Sequence, residues 1–294
     1  MAASAPGRII VLGAERSGTS VVTHMVHLWG AHAGEPGTLT GPSEHNPHGQ
    51  WEYEPLWRLL GEIGDFARGA TWWDPAFEAR VRAKLDVPEV RRKAQALMTT
   101  MEAGGRPWVW KDPALCHFLS FWKPVWGDVA YVITVRHPAD VARSWQRYAV
   151  PPQRRDAVDL TACNLLRWQH MMLMVLRATN DVEKKMFVEF EALIREPDVQ
   201  AARLARFLDR HVGGSSDAAR IATMAGAVAP ALRRHRCDRP LEEVAESTPA
   251  QHALYRLLRR KLQDPTAEFV DDFPMPFSWW GFVHESEAVL RGDA

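Results

Sequence analysis

Apolar positions fall into two patterns along the chain. Four short stretches, Ile9 to Leu12, Trp108 to Trp110, Val129 to Val135 and Met186 to Phe190, are almost continuously apolar. Runs without polar alternation predict strands buried on both faces. Between them, apolar residues recur at helical spacing. Val22, Met25, Val26 and Trp29 mark a helix over about Gly18 to Trp29 that stops at Gly30, and Leu56, Leu59, Leu60 and Ile63 mark the next. Further helices are predicted over about Pro88 to Met101, over Leu160 to Thr179, and from Glu191 towards His211 and Gly213. The second of these is apolar around most of its surface, so it belongs in the core, its methionines with it. Thr248-Pro249-Ala250-Gln251 supplies an N-cap, a first-turn proline and a capping-box glutamine for a helix to about Leu262.

Strands alternating with helices predict an α/β fold, a P-loop-like, mostly parallel sheet flanked by helices on both faces, with ligands at the strands' C-terminal ends. The chain reads as one domain over residues 1–294, with 1–7 a flexible N-terminus and 241–294 a C-terminal helical extension. Two polar stretches, Gly34 to Gln50 and Arg147 to Asp159, read as loops, the second covering the active site.

Composition narrows the partners. Lysine plus arginine and aspartate plus glutamate both number 36 in 294 residues, so no basic excess points to nucleic acid. Any anion site must be built locally. The three cysteines lack metal or disulfide spacing, and the first apolar run is too short for a signal peptide or a membrane span. A cytoplasmic protein is expected.

The first strand leads into Gly13-Ala14-Glu15-Arg16-Ser17-Gly18-Thr19-Ser20 and a helix start. Amides at a helix N-terminus lack partners and carry the positive end of the dipole, so Ser17, Gly18, Thr19 and Ser20 are expected to cradle a phosphate. The spacing nearly matches the nucleotide-kinase loop, but Thr19 stands where its lysine belongs and the cation has moved to Arg16. No acidic strand end offers itself for magnesium. The third strand ends in Arg136-His137-Pro138, and Ser144 follows Arg136 by eight positions, about two helical turns, so both can reach one anion.

With both motifs in order, the chain resembles the sulfotransferases that use 3′-phosphoadenosine 5′-phosphosulfate (PAPS). The resemblance runs from residue 8 to about 240. It implies that Arg16 to Ser20 hold the 5′-phosphosulfate, that Arg136 and Ser144 hold the 3′-phosphate, and that the product is adenosine 3′,5′-bisphosphate (PAP). No metal is expected, since a sulfuryl group carries less charge than a phosphoryl group. Trp110-Lys111-Asp112-Pro113 resembles the Lys-x-Pro element of glycan-modifying sulfotransferases, which implies that Lys111 meets the sulfuryl group or the leaving oxygen. Asn46-Pro47-His48-Gly49-Gln50-Trp51-Glu52 resembles a bacterial segment in which an aromatic residue stands at position 50 instead of Gln50. Late arginines of relatives imply Arg233 and Arg234 as further nucleotide contacts. Phe190 lacks the phenol usual at its position.

Sulfuryl transfer to a hydroxyl needs a base within hydrogen-bond reach of the acceptor. Three candidates stay open: Glu52 first, then His48, an imidazole of the kind most often used as a general base, then Glu35, at the spacing used by related protein-tyrosine enzymes. The expected acceptor is a small molecule such as a secondary metabolite, a lipid or a glycan. Trp72 and Trp73 are candidates to line its pocket. A P-loop small-molecule kinase and a non-catalytic nucleotide-binding protein are the alternatives. The aromatic C-terminal segment, with Phe273, Phe277, Trp279 and Trp280, is expected to fold back or to make a subunit contact, leaving a homo-oligomer open.

Overall fold

The structure is a computed structural model that describes residues 6–43, 46–68, 74–154, 159–229 and 236–276. Four strands, β1 (Arg8–Leu12), β2 (Trp108–Lys111), β3 (Ala130–Val135) and β4 (Lys185–Glu189), form one sheet in the order β2-β1-β3-β4. All three pairings are parallel, with Ile9 level with both Val109 and Ala130, and Val135 level with Glu189. These are the four apolar runs, and they are buried almost throughout.

Alternation within β1 separates two cores. Ile9 and Val11 face α1 (Thr19–Trp29), whose Val22, Met25, Val26 and Trp29 pack there as the periodicity predicts. Ile10 and Leu12 face the opposite side. There α2 (Glu54–Ile63), α3 (Phe77–Ala83), α4 (Pro88–Glu102) and α5 (Leu119–Trp126) bring in Leu60, Phe77, Met98 and Trp122. The helix α6 (Pro138–Ala149) packs along α7 (Thr161–Thr179), and Met171 and Met172 of α7 are core residues. Trp108, Trp110, Trp122 and Trp126 form a chain of ring contacts with centroids 4.6–5.6 Å apart. Much of the chain's tryptophan therefore serves packing rather than a pocket.

The remaining helices are α8 (Phe190–Arg195), α9 (Pro197–Leu208), α10 (Ala218–Gly226) and α11 (Pro249–Gln263). The α11 capping box forms as read, Thr248 Oγ1 accepting from the Gln251 amide and the Gln251 side chain accepting from the Thr248 amide. One expectation needs correction. The polar stretch beginning at Arg147 starts as helix, because α6 continues through Ala149 and the following Val150 is buried. Among the described residues no helix is long and apolar enough to cross a membrane.

From β1 the chain crosses to β2 on one side and then back to β3 on the other. The crevice above the C-terminal end of β1 is therefore the point at which the strand order reverses, where open α/β sheets bind ligands.

Candidate active site

That crevice is a cavity of about 540 Å³. One wall is the turn from β1 into α1. Gly18 is the N-cap residue, left-handed at φ 95°, and the first ladder bond runs from the Val22 amide to the Gly18 carbonyl at 3.2 Å. The amides of Gly18, Thr19, Ser20 and Val21 thus precede the ladder, and these four residues line the cavity. A side chain at position 18 would also bring its Cβ to 2.5 Å from the Phe190 ring. Ser17 departs from its expected place in this cradle. Its hydroxyl donates to the Ala14 carbonyl at 2.5 Å and meets Thr134 Oγ1 at 2.6 Å, and its amide turns back to the same carbonyl. It shapes the loop from behind.

The second wall lies at the ends of β3 and α6. Arg136 Nη1 donates to the Arg16 carbonyl at 2.8 Å, and its guanidinium lies over the Phe190 ring at 4.5 Å. Asp140, fully buried one helical turn on, faces Arg136 Nη2 at 3.8 Å. Arg16 is left-handed at φ 66°, and its Nε donates to Ser144 Oγ at 3.1 Å while its guanidinium sits 5.6 Å from the centre of the Tyr148 ring. The Arg16 side chain therefore joins Arg136 and Ser144 instead of reaching the region of Lys111. Two guanidinium groups and a hydroxyl in one partly desolvated corner match the donor needs of a phosphate dianion.

The third wall begins at the end of β2. Lys111 is buried, and its Nζ donates to the Glu52 carboxylate at 2.6 Å and to the Gln50 carbonyl at 2.9 Å. Asp112 follows as N-cap of a short 3-10 turn, its Oδ1 accepting from the Ala114 amide at 2.8 Å. Burial, with a further contribution from the nearby Glu52 charge, pushes the Asp112 carboxyl up to about 7, against the opposing pull of Lys111.

The sign of the resulting pH effect follows from proton counting. Between about pH 4 and 7 the folded chain keeps a proton on Asp112 that the unfolded chain has released, so this group's contribution to stability falls as pH rises. Asp112→Asn retains an acceptor for the Ala114 amide. In thermal melts its Tm relative to wild type is expected to climb steadily from pH 4 to pH 7; a pH-independent difference contradicts the assignment.

The three base candidates are placed very differently. Glu52 lines the cavity on Lys111, and His48 lines it from the preceding loop. Glu35 lies outside the cavity lining: its carboxylate is 75% exposed and faces His32 Nε2 at 3.6 Å. Three lining residues carry no sequence expectation: Glu15, which pairs with Arg167 of α7 at 2.5 Å, Trp145, and Tyr148, the last inside the stretch from Arg147 assigned to a loop. The helical spacing of Trp145 and Tyr148, on one face of α6, was the available signal. Arg233, Arg234, Trp72 and Trp73 lie outside the described residues.

Comparison with known proteins sets this geometry in context. No curated protein sequence matches the chain. Among solved structures it is similar to the sulfotransferase domain of a Synechococcus olefin synthase, at 17% identity and TM-score 0.45 over 95% of each chain. It is similar also to the sulfotransferase STF9 of Mycobacterium avium, at 17% identity and TM-score 0.49 over 92% of this chain and 79% of that one. The family model described as "Sulfotransferase family" matches residues 6–212, which span the turn from β1 into α1, Lys111, Arg136 and Ser144. The chain belongs to the sulfotransferase family.

Proposed function

We propose that the protein transfers a sulfuryl group from PAPS to a hydroxyl of a small-molecule, lipid or glycan acceptor, releasing PAP. The observation that carries this reading is the separation of two cationic centres within one cavity. Arg16, Arg136 and Ser144 form an anion corner, and Lys111, which lines the same cavity as the amides that start α1, forms a second centre. A donor with phosphate at both ends of a ribose needs two such centres.

In this reading the corner of Arg136, Ser144 and Arg16 takes the 3′-phosphate. The amides of Gly18 to Val21 take the 5′-phosphosulfate. The apolar lining residues Phe190, Ile194, Ala227 and Ala229 take the purine. The acceptor oxygen attacks sulfur from the side of Glu52, whose carboxylate receives the hydroxyl proton. The bond between sulfur and the bridging phosphate oxygen breaks, and its electron pair leaves on that oxygen. Lys111 and the loop amides stabilise the departing charge without reorganising. Positioning supplies much of the remainder.

Trp57 and Tyr148 are 46% and 48% exposed, Tyr148 beside the Arg16 guanidinium of the anion corner. Among the described residues they are the only exposed large aromatic side chains, and both line this cavity. Large exposed rings at a cavity mouth fit an acceptor with an apolar body behind its hydroxyl.

Glu52→Gln tests the base. With labelled PAPS and an acceptor found by screening, kcat is expected to fall by about 10²–10⁴-fold. PAP affinity should change less than about threefold, because Arg136 and Ser144 are untouched. Undiminished kcat removes Glu52 from the role and leaves His48.

A further inference from the structure

Among the described residues three non-glycine residues have positive φ, and two of them, Arg16 at 66° and Trp51 at 62°, line the cavity. The left-handed region is sterically unfavourable for a bulky L-residue, so something must hold Trp51 there. Strain of this kind gathers where a site needs an unusual chain direction.

The restraint is visible on α1. The Trp51 ring stacks on His24, with centroids 4.6 Å apart and planes 20° from parallel, and meets His27 at 5.0 Å. His24 and His27 are three residues apart on one helix face, a two-ring seat for the indole. Trp51 Nε1 donates to the His48 carbonyl at 3.0 Å, closing the turn beneath itself. Backbone bonds fix both flanks to the neighbouring segment: the Gln50 amide donates to the Thr40 carbonyl at 3.1 Å and the Thr40 amide to the Glu52 carbonyl at 2.8 Å.

The left-handed turn has a chemical consequence. The Gln50 carbonyl and the Glu52 carboxylate, on either side of Trp51, converge on the same Lys111 Nζ at 2.9 and 2.6 Å. The ring between them points the other way, into α1. We propose that Trp51 is a positioning residue for sulfuryl transfer: seated on His24 and His27, it fixes the turn that aims Glu52 and Gln50 at Lys111. This inference rests on the reading of Glu52 as base given above. It assigns Trp51 no contact with the reacting atoms.

The test is a double-mutant cycle between Trp51 and Glu52, with kcat measured at saturating PAPS and acceptor and PAP affinity measured by calorimetry. Trp51→Ala is expected to lower kcat about 30-fold, with PAP affinity changed less than about twofold. Trp51→Phe, which keeps a flat ring on the two imidazoles, should recover most of that loss. Because Trp51 acts through Glu52, Trp51→Ala in a Glu52→Gln background should cost less than about threefold more, the non-additivity of residues that work as a unit. Trp51→Leu, which keeps apolar bulk without the flat ring, carries the same cycle if the alanine variant does not fold.

The same kcat cost in both backgrounds overturns the inference, as does a loss that appears in PAP affinity or in acceptor KM with kcat unchanged. Undiminished kcat in Glu52→Gln alone is a separate outcome. It removes the base assignment, and the proposed role of Trp51 falls with it.

Discussion

Arg136→Ala is expected to weaken PAP binding by about 100-fold in a calorimetric titration. The estimate follows from losing charge-assisted hydrogen bonds to a phosphate, each worth about 1.5–3 kcal/mol. Arg136 is nearly buried, anchors the loop through the Arg16 carbonyl and balances the buried Asp140. Its removal therefore also takes a cation from beside a buried carboxylate, which lowers stability. Two milder variants separate binding from folding. Arg136→Lys keeps the charge but loses the planar fork, and should still bind PAP at least about tenfold more weakly than wild type. Ser144→Ala leaves every charge in place and should weaken binding by about tenfold, close to the worth of one hydrogen bond to a charged group at the lower end of its range. Wild-type affinity in all three variants would take the 3′-phosphate out of this corner.

Lys111→Met is expected to act on the other kinetic quantity. Removing a preorganised cation aimed at developing charge costs about 10²–10³ in kcat. PAP affinity should stay within about threefold, because Lys111 and the Arg136 corner lie on different walls of the cavity. Lys111→Arg should not restore the rate: a guanidinium is larger and planar, and the Lys111 position is closed in by the Gln50 carbonyl and the Glu52 carboxylate. Steady-state rates with labelled PAPS measure both. Near-normal kcat in Lys111→Met would take Lys111 out of the transfer step and leave the neutral loop amides as the partners of the sulfuryl group.

The fold was legible because its signals are local. A parallel strand buried on both faces must be apolar throughout, and Ile9 to Leu12 and Trp108 to Trp110 are. Caps are local too, so Gly30 and the Thr248 capping box could be read from a few neighbours. Part of the cavity lining was equally legible, since the turn from β1 into α1 is one stretch of chain and Arg136 and Ser144 lie eight positions apart across the start of α6.

What escaped the sequence was direction and partnership. Arg16 belongs to the loop by position, but its left-handed backbone sends the side chain to Ser144, and no spacing rule contains that turn. Glu52 and Lys111 are 59 positions apart, and only the sheet brings the end of β2 beneath the loop that carries Glu52. Trp51 reads as one more aromatic residue until its φ and its two histidine contacts are seen together. Glu35 lies outside the cavity lining for the converse reason. Its spacing suits a base, but the chain turns its carboxylate to solvent.

The most direct measurement is calorimetric titration of the wild-type protein with PAP and, separately, with Mg-ATP. Micromolar binding of PAP, indifferent to magnesium and stronger than any binding of Mg-ATP, is the predicted result. Tight Mg-ATP binding with none of PAP would contradict the assignment of the Arg136 corner to a 3′-phosphate and of the cavity to PAPS.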